Sequence, residues 1–110
     1  MMDQRLPLLA DQLLLIEREL RALGMWSDEA PSAEALASRQ PFCVDTLDFE
    51  AWLQWLFLPR MKQLLEASGP LPEASGIRPM AEERYKGRER EVELLLAALG
   101  EFDRLIGAAY

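Results

Sequence analysis

Leucine and isoleucine recur at alternating steps of three and four residues through the first part of the chain, at positions 6, 9, 13, 16, 20 and 23. This spacing places them on one face of an α-helix, and it predicts a first long helix from about residue 4 to residue 23. Gly24 follows, where helices commonly end in a left-handed conformation. Leu8 and Leu15 lie off this face and form a second apolar ridge.

The middle of the chain contains a second predicted helix, from about residue 46 to residue 67, whose apolar residues extend most of the way round its circumference. Such a helix is typical of a central element that neighbours contact on several sides. Asp45 is predicted to be its N-cap, and Val44 and Phe49 occupy the two positions of a hydrophobic staple. Pro59 cannot donate a backbone hydrogen bond, so we expect a kink next to it.

A third long helix is predicted from about residue 88 to residue 106, where apolar residues again follow a helical spacing. Leu94 and Leu105 form a weaker second ridge on this helix. Exposed apolar patches usually mark association. If the outer ridges remain uncovered, they would therefore offer a homodimer surface formed by Leu8, Leu15, Leu94 and Leu105.

Shorter helical segments are predicted between the long ones. Ser32 caps one of them over residues 33–38, and residues 80–86 form another turn or two of helix. Because no alternating strand pattern occurs, the predicted fold class is all-α: a small bundle of three long helices with one or two short ones. A chain of 110 residues has room for one hydrophobic core, so residues 1–110 are predicted to form a single domain.

Nineteen acidic and twelve basic residues give the chain a formal net charge of -7. A negative field of this size repels nucleic acid and anionic lipid, because binding to both depends on clustered Lys and Arg. No apolar run approaches the length of about 20 residues that a membrane span requires. The single cysteine, Cys43, excludes an internal disulfide and fits a reducing compartment. We therefore predict a cytoplasmic protein that binds neither nucleic acid nor membrane directly and whose natural partner is another protein.

The absence of histidine excludes several common kinds of active site. Ser-His and Cys-His nucleophilic pairs, His-ligated zinc and the Glu-x-x-His ligands of di-iron bundles all require that residue. Cys43 lies between two apolar residues and is predicted to be a buried, inert thiol. Asp45 and Asp48 are explained by helix capping, and the chain has no Gly-rich phosphate loop. The sequence therefore predicts no catalytic residue, no metal and no cofactor, and the protein is not expected to be an enzyme.

Arg60 is the least ordinary residue of the predicted middle helix, because it lies on an apolar side next to Pro59. One interpretation is structural: Arg60 pairs with a carboxylate such as Asp45 and fixes the preceding loop to the helix. The other is functional: Arg60 lines a groove for an anionic ligand or for an acidic side chain of a partner. Trp55 is expected to be partly exposed, and Trp and Arg are enriched at binding hot spots. The predicted groove consists of Gln40, Phe42, Asp45, Trp55, Pro59 and Arg60.

Four short motifs resemble those of the YqcC-like family of small bacterial proteins: QPFCVDT, WLQW, LPRM and PLP, in that order between residues 40 and 72. Their order has no generic helical explanation, and the resemblance extends from about Trp26 to Pro72. It implies an all-helical fold, in agreement with the hydrophobic periodicity. Genes of such proteins often lie beside one for a tRNA pseudouridine synthase, so the resemblance also implies an accessory role in RNA modification.

The leading functional hypothesis is a non-catalytic interaction or accessory protein, with a tRNA pseudouridine synthase as the first partner to test. It rests on the acidic composition, the lack of a catalytic constellation and the surplus of apolar residues. The alternative is a small anionic-ligand-binding protein or minor enzyme, in which Arg60 holds the ligand in a pocket around Arg60 and Trp55.

Overall fold

The computed structural model describes residues 4–108, and all regular secondary structure in that range is helical. A 3-10 turn, Pro41–Cys43, precedes the middle of the chain, where a π-helical turn, Leu53–Phe57, joins two α-helices directly. We name this continuous segment of residues 49–66 the middle helix. The predicted all-α class is confirmed. The α-helices are α1 Leu6–Ala22, α2 Ala33–Leu36, α3 Phe49–Trp52, α4 Leu58–Glu66, α5 Ile77–Arg84 and α6 Glu93–Ile106.

α1 and α6 form the principal helix pair of the bundle. The guanidinium of Arg5, just before α1, donates hydrogen bonds to the carbonyls of the last two residues of α6, at 2.8 and 2.9 Å, and to that of Ala108 just beyond the helix, at 3.1 Å. The start of α1 therefore lies against the end of α6, and the two helices run antiparallel. The last carbonyls of a helix lack partners within it, so Arg5 supplies hydrogen bonds that α6 cannot make internally. α5 also packs on α6, and α4 packs on α1.

The predicted apolar face of α1 is confirmed, and it faces the core. Gly24, just beyond the helix, has a φ of 73°, as expected for a left-handed helix end. Within residues 4–108, no helix combines the length and hydrophobicity that crossing a membrane requires. The buried residues of α1 are Leu6, Leu9, Leu13, Ile16 and Leu20.

The second ridges predicted on α1 and α6 do not form one surface. Leu8 and Leu94 are exposed, whereas Leu15 is half-buried and packs against the core. Leu105 is only 3% exposed and belongs to the core, so its assignment to an outer ridge is wrong. Because α1 and α6 are antiparallel, the two exposed leucines lie toward opposite ends of the helix pair. A homodimer through these four residues stays a prediction, and Leu105 is not available to it at the surface.

The middle helix begins at Phe49, three residues after the predicted residue 46. Asp48 occupies the N-cap position with an extended backbone, and its side chain makes no capping hydrogen bond. The prediction of Asp45 as the N-cap is therefore wrong. Asp45 is exposed and instead accepts a hydrogen bond from the hydroxyl of Ser38.

Two consecutive left-handed residues explain why the helix does not start earlier. Phe42 and Cys43 have φ values of 57° and 50°, so the chain turns sharply here. The Cys43 carbonyl accepts hydrogen bonds from the amides three and four residues later, at 3.0 and 2.8 Å, which closes the turn. Val44 is left 59% exposed, and the predicted staple between Val44 and Phe49 is not formed.

The predicted disturbance at Pro59 takes the form of the π turn immediately ahead of it. The amide of Leu58 donates to the carbonyl of Leu53, five residues earlier, whereas an amide in an α-helix donates to the carbonyl four residues earlier. Leu53 and Leu58 are 0% and 1% exposed, although on a regular α-helix they would be rotated apart by about 140°. The wider turn therefore brings both leucines to the core. The helix is not enclosed on every side, because Pro59, Arg60 and Lys62 are exposed.

The third long helix, α6, begins at Glu93, five residues after the predicted residue 88. Gly87 has a φ of 88°, a left-handed conformation that glycine adopts without steric cost. The Arg88 carbonyl then accepts from the amide of Glu91 at 3.0 Å, which makes a separate turn. The charged segment before α6 therefore folds as a turn, and the helix starts where the apolar spacing becomes continuous.

α5 begins at Ile77, three residues before the predicted residue 80, and a residue of α6 fixes its start. The carboxylate of Asp103 accepts hydrogen bonds from the amides of Ile77 and Arg78, at 3.0 and 2.8 Å. The first amides of a helix have no partner within it, so Asp103 satisfies two of them from another helix. Ile77 is thereby held in the core beside α6.

Gln54 fastens the loop after α1 to the middle helix. Its side chain is 6% exposed, and its Oε1 accepts from the Ser27 amide at 2.8 Å. Its Nε2 donates to the Ser27 carbonyl at 2.7 Å, so both ends of the amide are satisfied by one backbone unit. This pairing resembles the hydrogen-bonding pattern between two strands, made by a side chain in place of a strand.

We expect Gln54→Ala to lower the free energy of unfolding, because both hydrogen bonds to Ser27 are lost at about 0.5–1.5 kcal/mol each. Urea denaturation followed by tryptophan fluorescence measures the change. Gln63→Ala, at an exposed position of the same helix, is the matched control and should shift stability by less than about 0.5 kcal/mol. Equal effects of the two substitutions would contradict the role assigned to Gln54.

Candidate functional site

The residues predicted to form one groove lie in different places on the structure. Phe42 and Arg60 line one hollow, and Trp55 and Pro59 line another. Gln40 is exposed at the start of the 3-10 turn, and its carbonyl accepts from the Cys43 amide at 3.0 Å. Neither Gln40 nor the exposed Asp45 lines either hollow.

The first hollow, which we name the Arg60 pocket, has a volume of about 170 Å³. Core side chains form its floor, and residues from the connector before α5 form one wall. The opposite wall is aromatic: the rings of Phe42 and Trp52 meet edge to face with centroids 4.8 Å apart. The pocket is lined by Phe42, Trp52, Leu56, Phe57, Arg60, Met61, Pro72, Ala74, Ser75, Ile77 and Phe102.

The aromatic wall continues from the surface into the core. Trp52 stacks on Phe57 with ring centroids 5.5 Å apart, and Phe57 meets Phe102 edge to face at 5.1 Å. Each such pair stabilises the arrangement by about 0.5–1.5 kcal/mol beyond the area it buries. The wall is therefore held rigidly by residues that the core itself requires.

Phe42 reaches this wall because of the strained turn in which it lies. A left-handed conformation at a residue other than glycine costs about 1–3 kcal/mol, and Phe42 and Cys43 both adopt it, at 57° and 50°. Cys43 is buried, as predicted for this thiol. The turn thus buries the Cys43 side chain and places the ring of Phe42 at the rim of the Arg60 pocket.

Arg60 is exposed at the rim of the pocket and forms no ion pair with any other residue between 4 and 108. The predicted structural bridge from Arg60 to Asp45 is therefore not made. By contrast, Arg84 donates to Glu50, and Arg21 to Glu17. Arg60 thus presents a free guanidinium beside an apolar hollow.

The second hollow, of about 260 Å³, lies around Trp55 and Pro59. The two charged residues that line it form an ion pair: Glu17 accepts from Lys62 at 3.2 Å, and it also accepts from Arg21 at 3.1 Å. Burial opposes ionisation of Glu17, but hydrogen bonds from Arg21 and Lys62 outweigh it and lower the pKa of this carboxyl. Both charged side chains that line this hollow are therefore already paired.

A polar cluster joins the start of the middle helix to α5. Glu50 accepts from the Tyr85 hydroxyl at 2.8 Å and from two guanidinium nitrogens of Arg84, at 2.9 and 3.3 Å. Burial raises the pKa of Glu50, but the hydrogen bonds from Arg84 and Tyr85 outweigh burial, so the pKa is lowered overall. Burial, together with the bond to Glu50, raises the pKa of Tyr85. The three groups satisfy one another, so the cluster is structural.

We expect Glu50→Gln to destabilise the fold at neutral pH, because it weakens charge-assisted hydrogen bonds worth about 1.5–3 kcal/mol. The folded-state pKa of Glu50 lies below its ordinary value of 4.5, so the carboxylate stabilises the fold above that pH. This contribution disappears as pH falls through the lowered pKa. The stability gap between the two proteins should therefore shrink in acid.

Urea unfolding at pH 7, 5, 4 and 3 measures that gap. Glu73→Gln removes the same charge at an exposed position of the connector, outside this cluster. At each pH, its stability should be nearly the same as that of the unsubstituted chain. A gap that stays constant from pH 7 to pH 3 would contradict the lowered pKa of Glu50.

Sequence reasoning identified Arg60 and Phe42 but missed part of the pocket that they line. The predicted groove omits Trp52, and Pro72 comes from an aperiodic connector. The PLP motif of the family resemblance was the signal that marked Pro72. Among residues 4–108, no group of three or more His, Cys, Asp or Glu side chains could hold a metal ion.

A family model and two relatives of similar length match most of this chain. A family model described as tRNA pseudouridine synthase C matches residues 8–105. A Haemophilus influenzae protein, named only as uncharacterized, is 41% identical over 86 residues, which cover 78% of this chain and 80% of that protein. The Escherichia coli K12 protein YqcC, also named as uncharacterized, is 36% identical over 94 residues, 86% of each chain.

A longer relative and a protein of known structure are also similar to this chain. The Pectobacterium carotovorum protein named tRNA pseudouridine synthase C is 43% identical over 75 residues, which are 68% of this chain but only 20% of that protein. The solution NMR structure of Escherichia coli YqcC is 32% identical, with a TM-score of 0.84, covering 98% of this chain and 94% of that chain. The helical arrangement described above is therefore also the fold of a solved relative.

Proposed function

Because this chain belongs to the YqcC-like family, whose model carries the description tRNA pseudouridine synthase C, we propose that it is a non-catalytic helical module that binds such a synthase. One observation carries the proposal. In Pectobacterium carotovorum, a segment similar to this chain makes up 20% of a protein named tRNA pseudouridine synthase C. A module that is covalently part of the enzyme in one bacterium is well suited to contact the enzyme non-covalently in another.

The charge of the chain supports binding to the enzyme and not to the tRNA itself. With a net charge of -7, the module repels phosphates. An enzyme that acts on tRNA presents a basic surface to it, and a basic surface also attracts an acidic protein. Electrostatic attraction of this kind speeds association and fixes orientation more than it adds affinity.

The sizes of the two hollows that contain predicted groove residues favour protein binding over a small-molecule ligand at those residues. Sites for metabolites and cofactors usually enclose about 300–1,000 Å³, whereas the Arg60 pocket and the hollow around Trp55 have about 170 and 260 Å³. The predicted anionic ligand would also need Arg60 and Trp55 in one pocket, and they line separate ones. Ligand binding around Arg60 and Trp55 is therefore not proposed as a second function.

The test mixes the purified chain with the Pectobacterium synthase from which the similar segment has been deleted. We expect a complex on size-exclusion chromatography, because the deletion exposes the surface that the segment covered. The intact synthase is the control and should bind more weakly, since its own segment occupies that surface. Circular dichroism checks that the shortened enzyme is folded.

Two outcomes would contradict the proposal. One is a folded, shortened synthase that forms no complex with the chain at low salt. The other is binding of tRNA by the chain alone with a steep loss of affinity as salt is raised, which would place the function on the nucleic acid.

A further inference from the structure

We propose that the Arg60 pocket receives a single apolar side chain of the synthase, while Arg60 pairs with a carboxylate next to that side chain. The occupant is thus a partner segment in which a Phe, Leu or Met adjoins an Asp or Glu. This inference rests on the proposed function, because it names the surface through which the module contacts the enzyme.

The volume of the pocket decides the size of the occupant. Its volume of about 170 Å³ is close to that of an engineered apolar cavity of about 150 Å³ that binds benzene. One aromatic or large aliphatic side chain therefore fills it, and a second does not fit. The lining is mostly apolar, so burying a hydrocarbon group there is favourable.

The charge at the rim decides what adjoins that side chain. Arg60 has no carboxylate partner among residues 4–108, although the chain carries seven more acidic than basic residues. Asp45, the nearest candidate from the sequence, is bonded to Ser38 instead. A carboxylate from outside the chain can therefore pair with the guanidinium through two parallel hydrogen bonds.

The rigidity of the walls makes such a contact favourable. Phe42 is held against Trp52 by the strained turn, and Pro72 restricts the opposite wall. A preformed pocket loses little conformational entropy when it is filled. An aromatic pocket with an Arg at its edge has the composition typical of binding hot spots.

The hollow around Trp55 differs from the Arg60 pocket in that its cation is already paired. Lys62 and Arg21 there already share the carboxylate of Glu17. A partner carboxylate would have to compete with that internal pair, whereas Arg60 is free of such competition. The Arg60 pocket is therefore the stronger candidate of the two.

The experiment measures the dissociation constant of the shortened Pectobacterium synthase for three variants of the chain. Arg60→Glu reverses the charge at the rim, and Ala74→Trp fills the pocket from an exposed position on its wall. We expect each to raise the dissociation constant by about tenfold or more, as the loss of a hot-spot contact does. Arg39→Glu makes the same charge change at an exposed position outside the pocket and is the matched control, expected to alter binding by less than about threefold.

Each result bears on the inference in a different way. Loss of binding in Arg60→Glu and Ala74→Trp, with Arg39→Glu nearly unchanged and all three folded by circular dichroism, supports it. A complex that none of the variants weakens, or that Arg39→Glu weakens as much as Arg60→Glu does, overturns the inference and leaves the proposed function standing. Absence of any complex with the unsubstituted chain overturns both.

Discussion

The missing amide of Pro59 shapes the middle helix, whose α4 segment packs on α1. Proline cannot donate to the carbonyl four residues earlier, so the regular hydrogen-bond ladder is interrupted. The π turn over Leu53–Phe57 absorbs that interruption by adding a residue to one turn. As a result Leu58 joins Leu53 in the core, Gln54 reaches the loop after α1, and Arg60 is left outside. One local constraint thus positions core, loop and candidate site together.

Sequence periodicity predicts those features of a helix that depend only on residues close together in the chain. The buried face of α1 follows directly from its spacing, because a helix converts regular spacing into one face. The starts of α5 and of the middle helix do not follow in this way. Asp103 fixes the start of α5 from 25 and 26 residues away along the chain, and the left-handed Phe42 and Cys43 override the capping pattern at Asp45. Contacts between distant residues and unusual backbone angles leave no periodic trace.

The candidate site was predictable in part for the same reason. Arg60 stands out in sequence because a charged residue on an apolar side needs an explanation. Trp55 could not be placed relative to it, since Trp55 lies within the π turn, where a helical wheel drawn at about 100° per residue fails. Pro72 belongs to a connector whose path depends on what it packs against. The sequence therefore identified the cation and one aromatic wall, but not the geometry that joins them.

Under the proposed function, the charge distribution separates two tasks of a protein-binding module. The net charge of -7 acts over a distance, and it would attract a basic enzyme while keeping the module away from tRNA phosphates. The same field would attract a basic surface in many orientations, so it cannot specify one. Under the further proposal, Arg60 at the rim of the Arg60 pocket acts only at contact, and it disfavours orientations that bury its guanidinium without an acidic partner. Attraction by the many acidic groups and selection by one basic group are therefore complementary, and the second is possible because Pro59 keeps Arg60 outside the core.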